Sequence, residues 1–139
     1  MGRTTTYAYD DRNRPISISH PDSTQTIFSY DTLGNLTSAA NQYIAYSLVY
    51  DNLNRPVSVT DSFGRTLRYA YDPNSNRTAM TDPTGAMTSY AYNILDKLTT
   101  LTDPLNQEYV YWYDSLQRRT SLTLPNSIAY LTPVLFSTR

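Results

Sequence analysis

The 139 residues contain no cysteine, one histidine, one tryptophan and four glycines, and only 17% of them are charged. Without cysteine the described chemistry has no disulfide framework, no thiolate metal site and no thiol nucleophile, and the redox compartment is unread. The 11 basic and 12 acidic residues are scattered and leave a net charge of -1. Such a chain has no long-range field to gather nucleic acid or anionic lipid, so neither is expected as a partner. No apolar run approaches the ~20 residues of a membrane span, and membrane insertion is not expected. The start, Met1-Gly2-Arg3-Thr4-Thr5-Thr6, lacks the apolar stretch of a signal peptide. Gly2 followed by Thr6 superficially fits a myristoylation pattern, but Tyr7-Ala8-Tyr9 reads as the end of a preceding repeat.

What the sequence does have is tyrosine, 14 of them, among abundant Thr and Ser. This is a β-sheet vocabulary, and no helix is expected. Tyrosine followed by an acid or its amide recurs at Tyr9-Asp10, Tyr30-Asp31, Tyr50-Asp51, Tyr71-Asp72, Tyr92-Asn93 and Tyr113-Asp114, at intervals of 21, 20, 21, 21 and 21 residues. A fixed period near twenty means that each unit is one supersecondary element, stabilised only by stacking on its neighbours.

Each unit opens on a turn sequence, such as Asp10-Asp11-Arg12-Asn13-Arg14 or Asp31-Thr32-Leu33-Gly34-Asn35. The leading aspartate can accept bonds from backbone amides two residues on, and Asn13, Gly34, Asn54 and Asp96 tolerate the left-handed conformation such turns need. A strand follows with period two, pairing Ile16 with Ile18, Val57 with Val59 and Thr99 with Leu101 on one half-buried face. A second turn comes next: His20-Pro21, Asp61-Ser62-Phe63-Gly64, Asp82-Pro83-Thr84-Gly85 or Asp103-Pro104-Leu105-Asn106. The second unit has Asn41-Gln42-Tyr43 there and is one residue short. The return strand ends on the next motif tyrosine, with Tyr7, Phe28, Leu48, Tyr69, Tyr90 or Tyr111 two residues before it on the same face.

The expected fold is therefore all-β: tandem antiparallel β-hairpins forming a curved sheet. Repetition would make an aromatic ladder of Tyr9, Tyr30, Tyr50, Tyr71, Tyr92 and Tyr113 with Tyr7, Phe28, Tyr69, Tyr90 and Tyr111, stacking repeat on repeat. Asp10, Asp31, Asp51, Asp72 and Asp114 would cap one set of turns, and Asp61, Asp82 and Asp103 the other. Twelve strands at ~4.8 Å would span roughly 55 to 60 Å, with two open edges. Those edges should seek further repeats or copies of the chain itself.

The consensus, best seen from Tyr50 to Asp72, resembles the YD repeats of the Rhs (rearrangement hot spot) family. The resemblance covers residues 7 to about 130. It implies a spiral of β-hairpins wound into a segment of a hollow β-shell, as in bacterial polymorphic toxins, insecticidal toxin complexes and the animal teneurins. In the toxins such a shell encloses a C-terminal effector, so the implied partners are further repeats and an enclosed toxin domain, and the implied location is secreted or at the cell surface within a larger bacterial protein. The Asp/Gly-rich core motif that directs self-cleavage and a divergent toxin domain are both missing from this sequence. The expected organisation is the end of a preceding repeat at 1–8, units at 9–29, 30–49, 50–70, 71–91, 92–112 and 113–130, and a divergent tail at 131–139.

Chemistry is weaker than structure in this sequence. His20 sits beside Pro21 and Asp22, and a triad with Ser19 or Ser23 would ask neighbours on one turn to converge. One carboxylate per turn supplies too few oxygens for calcium, which takes six to eight. No catalytic residue, metal site or cofactor is expected, and the chain reads as a non-enzyme. Asn35-Leu36-Thr37 and Asn76-Arg77-Thr78 fit the glycosylation pattern. The leading function is a structural scaffold, the wall of a shell around a toxin or cargo. The alternatives are a surface module binding carbohydrate or protein through exposed tyrosines, and a self-assembling filament. The choline-binding hairpin modules offer a similar period, but they carry Gly-Trp signatures and aromatic cages, and here Trp112 is the single tryptophan.

Overall fold

The computed structural model describes residues 3–125 and the backbone of Tyr130 and Leu131. Gly2, Asn126 and residues 132–139 of the expected tail lie outside the described residues. All regular structure among the described residues is β-strand. Two compact units divide the chain, Met1–Arg68 and Tyr69–Arg139.

In the first unit lie β1 (Thr6–Tyr9), β2 (Pro15–Ser19), β3 (Gln25–Tyr30), β4 (Leu36–Ala40), β5 (Ala45–Tyr50), β6 (Pro56–Asp61) and the start of β7 (Thr66–Tyr71). Each strand pairs antiparallel with the next. The second unit repeats the scheme in β8 (Arg77–Thr81), β9 (Met87–Tyr92), β10 (Leu98–Thr102), β11 (Glu108–Tyr113), β12 (Arg119–Thr123) and β13 (Tyr130–Leu131).

Neither unit has a core: no described residue falls into the fully buried class. Burial instead alternates along the strands. In β3, Thr26, Phe28 and Tyr30 are half-buried while Gln25, Ile27 and Ser29 are exposed. The large side chains of neighbouring strands thus shelter one another on one face, as period two requires. The other face is made largely of small residues; its cross-strand pairs include Ala8↔Ser17, Ser29↔Ser38, Ser38↔Ser47 and Ala79↔Ser89.

The strict period two expected for the outgoing strands breaks at one place. Tyr9 pairs with Pro15 while Ala8 pairs with Ser17, so Ile16 is skipped by the ladder. The same irregularity skips Thr37, Val57, Thr99 and Thr120. A β-bulge puts two residues opposite one and sharpens the local twist, so Ile16 and Ile18 are not simple same-face neighbours. Bulges leave no mark in an apolar/polar pattern.

The turns on both sides of the sheet share one geometry. At Asp10, the Asn13 N–H donates to the Asp10 carbonyl (2.9 Å) and the Asp10 N–H to the Arg14 carbonyl (3.0 Å), with Asn13 at φ 60°. This is a type I turn closed by a residue in the left-handed region. It recurs with Gly34, Asn54 and Asp96 at the left-handed position, and also with Ser23, Ser75 and Gln117, which the sequence does not single out. The short second unit uses a tighter turn, in which the Asn41 N–H donates to the Ile44 carbonyl (2.9 Å).

Gly85 holds this position at φ 91°, and a Cβ there would meet nothing within 4 Å. A Gly85→Val substitution therefore carries only the backbone penalty, about 1 to 2 kcal/mol. The expected result is a lower urea midpoint with an unchanged slope.

Candidate functional site

The motif tyrosines end the return strands, where the two strands of a hairpin part. Within the hairpin β2–β3 the ladder holds three pairs, Ser17↔Ile27, Ile18↔Thr26 and Ser19↔Gln25. Two residues before the first of these, Ser17↔Ile27, Pro15 carries a carbonyl that accepts the Tyr30 hydroxyl at 2.9 Å. The same bond joins Tyr50 to the Leu36 carbonyl (2.9 Å), Tyr92 to that of Arg77 (3.0 Å) and Tyr113 to that of Leu98 (2.8 Å). In each case the acceptor lies two residues before the first ladder pair, Ser38↔Ser47, Ala79↔Ser89 or Thr100↔Val110. The phenol is a strut: it spans the gap where backbone pairing stops, satisfying a carbonyl that the bulged strand leaves over.

Partial burial raises the pKa of Tyr50, with the Asp31 carboxylate adding to it. Burial likewise leads the upward shift of Tyr92, opposed by Arg77. Both phenols stay protonated and keep their donor role at neutral pH. The Arg77 guanidinium lies 4.9 Å from the Tyr90 ring centre and 5.7 Å from that of Tyr69, and Arg14 lies 4.4 Å from the ring of Tyr30. Arg14 thus ties the turn of one unit to the next motif tyrosine, and Arg77, at the start of β8, contacts the aromatic positions of two successive return strands.

The register shows how the aromatic positions meet their neighbours. Tyr7 faces Ile18, Phe28 faces Ala39, Tyr90 faces Leu101 and Tyr111 faces Leu122. Rings therefore alternate with aliphatic or small side chains across the sheet. Tyr7 and Tyr9 stack along β1 with centroids 6.5 Å apart. Tyr71 is half-buried at the end of β7.

The aspartates sit at the first position of the turns, and their carboxylates accept backbone N–H groups of the same turn. Asp51 Oδ1 accepts the N–H of Leu53 (2.9 Å) and of Arg55 (3.0 Å), while Oδ2 takes Arg55 Nε (2.8 Å) and Nη2 (2.7 Å). Asp10 with Arg14, Asp61 with Arg65 and Asp114 with Arg118 repeat this. At Asp31 and Asp72 the amide groups of Asn35 and Asn76 stand in for arginine. Asp82 accepts from Thr84 and Ala86, and Asp103 from Leu105 and Gln107. The partner four residues after each aspartate is the feature the sequence reading missed, although Asp-x-x-x-Arg recurs in plain view at 10–14, 51–55, 61–65 and 114–118.

At Asp10, Asp31, Asp51, Asp61, Asp82 and Asp114 these bonds set the carboxylate pKa below the ordinary range. For Asp10 and Asp51 the leading cause is the side-chain bond from the arginine, followed by its backbone N–H. For Asp61 burial pushes upward most strongly, but the bonds from Arg65 and the Phe63 N–H, with the Arg65 charge, together outweigh it. For Asp114 the Arg118 backbone N–H leads.

Both glycosylation-pattern asparagines are occupied. Asn35 Nδ2 bonds Asp31 and Asn54 (2.9 Å each), and Asn76 Nδ2 bonds Asp72 (3.1 Å) and Asp96 (2.7 Å). His20 Nε2 lies 3.3 Å from Thr26 Oγ1, and the Asp22 carboxylate bonds Thr24. The structure does not assemble His20 and Asp22 with Ser19 or Ser23 into a relay.

The RHS repeat model matches residues 9–41, 50–87 and 76–108, more than half of the chain. The chain belongs to the RHS repeat family. Its fold is similar to that of TcdB2–TccC3 solved with Cdc42, with a TM-score of 0.75 and 18% identity over 88% of this chain and 7% of that one. A second similar structure is the Photorhabdus luminescens Tc holotoxin pore, with a TM-score of 0.53 and 15% identity over 91% of this chain and 9% of that one. This RHS-repeat chain spans less than a tenth of the length of either. No curated protein sequence matches it. Within the RHS repeat family, the strut and the capped turn account for the Tyr-Asp pair: a structural repeat scaffold is what the motif builds.

Proposed function

We propose that this RHS-repeat chain is wall: part of the shell of a larger secreted bacterial protein, enclosing a toxin or other cargo and performing no reaction itself. The observation that carries this reading is the recurrence of one strut and one capped turn from unit to unit, each bonding the backbone. A binding or catalytic repeat would reserve side chains for a ligand; here the hydroxyls of Tyr30, Tyr50, Tyr92 and Tyr113 and the carboxylates of the turn aspartates bond the backbone. The tyrosines hold repeats in register, the aspartates hold the turns, and the units at 9–29 through 113–130 are successive courses of the wall. The likeness to solved Tc toxin assemblies supports this reading at the level of fold.

The test is made in the polypeptide that carries the chain. Its enclosed segment resists added protease, and excision of residues 50–91, two whole units, renders that segment cleavable. Equal cleavage with and without the excision overturns the enclosure. Saturable binding in a glycan screen, lost on Tyr43→Ala or Trp112→Ala, would favour the carbohydrate module instead; both side chains are exposed.

A further inference from the structure

The turns that follow the motif tyrosines, at 10–14, 31–35, 51–55, 72–76, 93–97 and 114–118, are not six copies of one sequence. The left-handed position holds Asn13, Asn54 and Asp96 in the first, third and fifth, but Gly34 and Ser75 in the second and fourth. The residue after it is basic in the first set, Arg14, Arg55 and Lys97, and asparagine in the second, Asn35 and Asn76. The turns alternate. Asn13, Asn54 and Asp96 stand 41 and 42 residues apart, and Asn35 and Asn76 stand 41 apart, twice the hairpin period. The sixth turn departs from the scheme, with Gln117 in the left-handed position and Arg118 bound to Asp114.

The hydrogen bonds follow the alternation. Asn35 Nδ2 donates to Asp31 Oδ2 in its own turn and to Asn54 Oδ1 in the next, at 2.9 Å each. Asn76 Nδ2 donates in the same way to Asp72 Oδ2 (3.1 Å) and to Asp96 Oδ1 (2.7 Å), and Asn74 Nδ2 adds a second bond to that Asp96 oxygen (3.0 Å). An amide nitrogen has two hydrogens, one for each turn. Arginine in the donor place is drawn onto its own aspartate instead, as at Arg14, Arg55 and Arg118. At the receiving place asparagine and aspartate combine tolerance of the left-handed region with a side-chain acceptor, whereas glycine offers only the tolerance. The first turn is tied to the second by another means, Arg12 Nη1 to the Thr32 carbonyl at 2.7 Å.

We infer that the hairpins of this chain are latched in pairs along the tyrosine margin, the unit at 30–49 to that at 50–70 and the unit at 71–91 to that at 92–112. An asparagine of the leading turn is the bolt, and the asparagine or aspartate in the left-handed position of the following turn is the keeper. The Asn35–Asn54 latch lies within the first compact unit and the Asn76–Asp96 latch within the second. The structural repeat is then two hairpins long, with an interface term between hairpins that alternates along the array. The two bolts are also the glycosylation-pattern asparagines. A glycan on Nδ2 takes the place of one hydrogen, so a glycosylated Asn35 or Asn76 cannot serve both its own turn and the next. The pairing concerns how the hairpins are joined and is independent of enclosure.

The test exploits glycine, which takes the left-handed position without strain and deletes only the acceptor. Gly34, Gly64 and Gly85 already stand there in other turns. Asn13→Gly is the control, because the Asn13 side chain makes no hydrogen bond among the described residues. In isotope-labelled chain, Asp96→Gly should move the side-chain amide signals of Asn74 and Asn76 and speed amide exchange at Ser75 and Asn76 about fivefold. Asn54→Gly should move the Asn35 side-chain signal and speed exchange at Gly34 and Asn35 about threefold, one neutral bond being weaker than two to a carboxylate. Asn13→Gly should leave both turns as they are, and Asp96→Asn, which keeps an acceptor, should stay within about twofold of the parent chain. The responses are read some 20 residues from the substitution, where a purely local turn effect does not reach. Exchange at 34–35 and 75–76 that is no faster in Asn54→Gly and Asp96→Gly than in Asn13→Gly overturns the inference, as do Asn35 and Asn76 side-chain signals that stay in place.

Discussion

Replacing Tyr50 with alanine should lower the unfolding free energy by about 2 to 3 kcal/mol. Truncating a fully buried aromatic costs about 3 to 5 kcal/mol, and the half-buried ring of Tyr50 carries a fraction of that. The rest comes from the Leu36 carbonyl, which loses the phenol at 2.9 Å beyond the reach of the β4–β5 ladder. Tyr50→Phe keeps the ring and removes only the strut, at about 1 kcal/mol. Urea titration of both variants, with amide exchange read at residues 36–50, separates ring from hydroxyl. If Tyr50→Phe is indistinguishable from the parent chain, the hydroxyl bond carries no weight and the strut account fails. If alanine costs under about 0.5 kcal/mol, the usual surface range, the ring is not structural either.

Acid should loosen the turns. The folded pKa values of Asp10, Asp51, Asp61 and Asp114 lie below the ordinary 3.8. Their contribution is fully present above the unfolded pKa and is lost as pH falls through the folded values. Stability should be level from about pH 5 to 8 and decline below about pH 4. The chain itself supplies the control, for Asn93 caps its turn without a titrating group, accepting the N–H of Leu95 (2.9 Å) and Lys97 (3.1 Å). The fourfold variant Asp10→Asn, Asp51→Asn, Asp61→Asn, Asp114→Asn should therefore fold at pH 7 and show a flatter acid limb in thermal melts. A variant as acid-sensitive as the parent would place the acid response elsewhere. Surface ion pairs are individually weak, so what is tested is mainly the capping of backbone N–H groups.

The Tyr-Asp beat, the hairpin period and the left-handed positions at Asn13, Gly34, Asn54 and Asp96 are legible in the sequence, because they follow from side-chain type at fixed spacing. The shortened turn at Asn41 is legible for the same reason. The bulge at Ile16 and its equivalents is not: it is a mismatch between two strands, and one strand alone does not record it. Nor is the strut, whose acceptor is a main-chain carbonyl on residues as different as Pro15, Leu36, Arg77 and Leu98. Ser75 and Gln117 take the left-handed position by turn geometry against their own preference. The arginine four residues after aspartate is legible too, since Asp-x-x-x-Arg recurs at 10–14, 51–55, 61–65 and 114–118.

The strut also decides where such an array tolerates change in length. A hydroxyl that must reach back 15 residues to a particular carbonyl admits little slack in the strands it bridges. Yet Tyr50 reaches Leu36 over 14, the missing residue having gone from the turn at Asn41–Ile44, on the side away from the motif tyrosines. Insertions and deletions should thus accumulate on one margin of the sheet, while the tyrosine margin lengthens only by duplication of whole units.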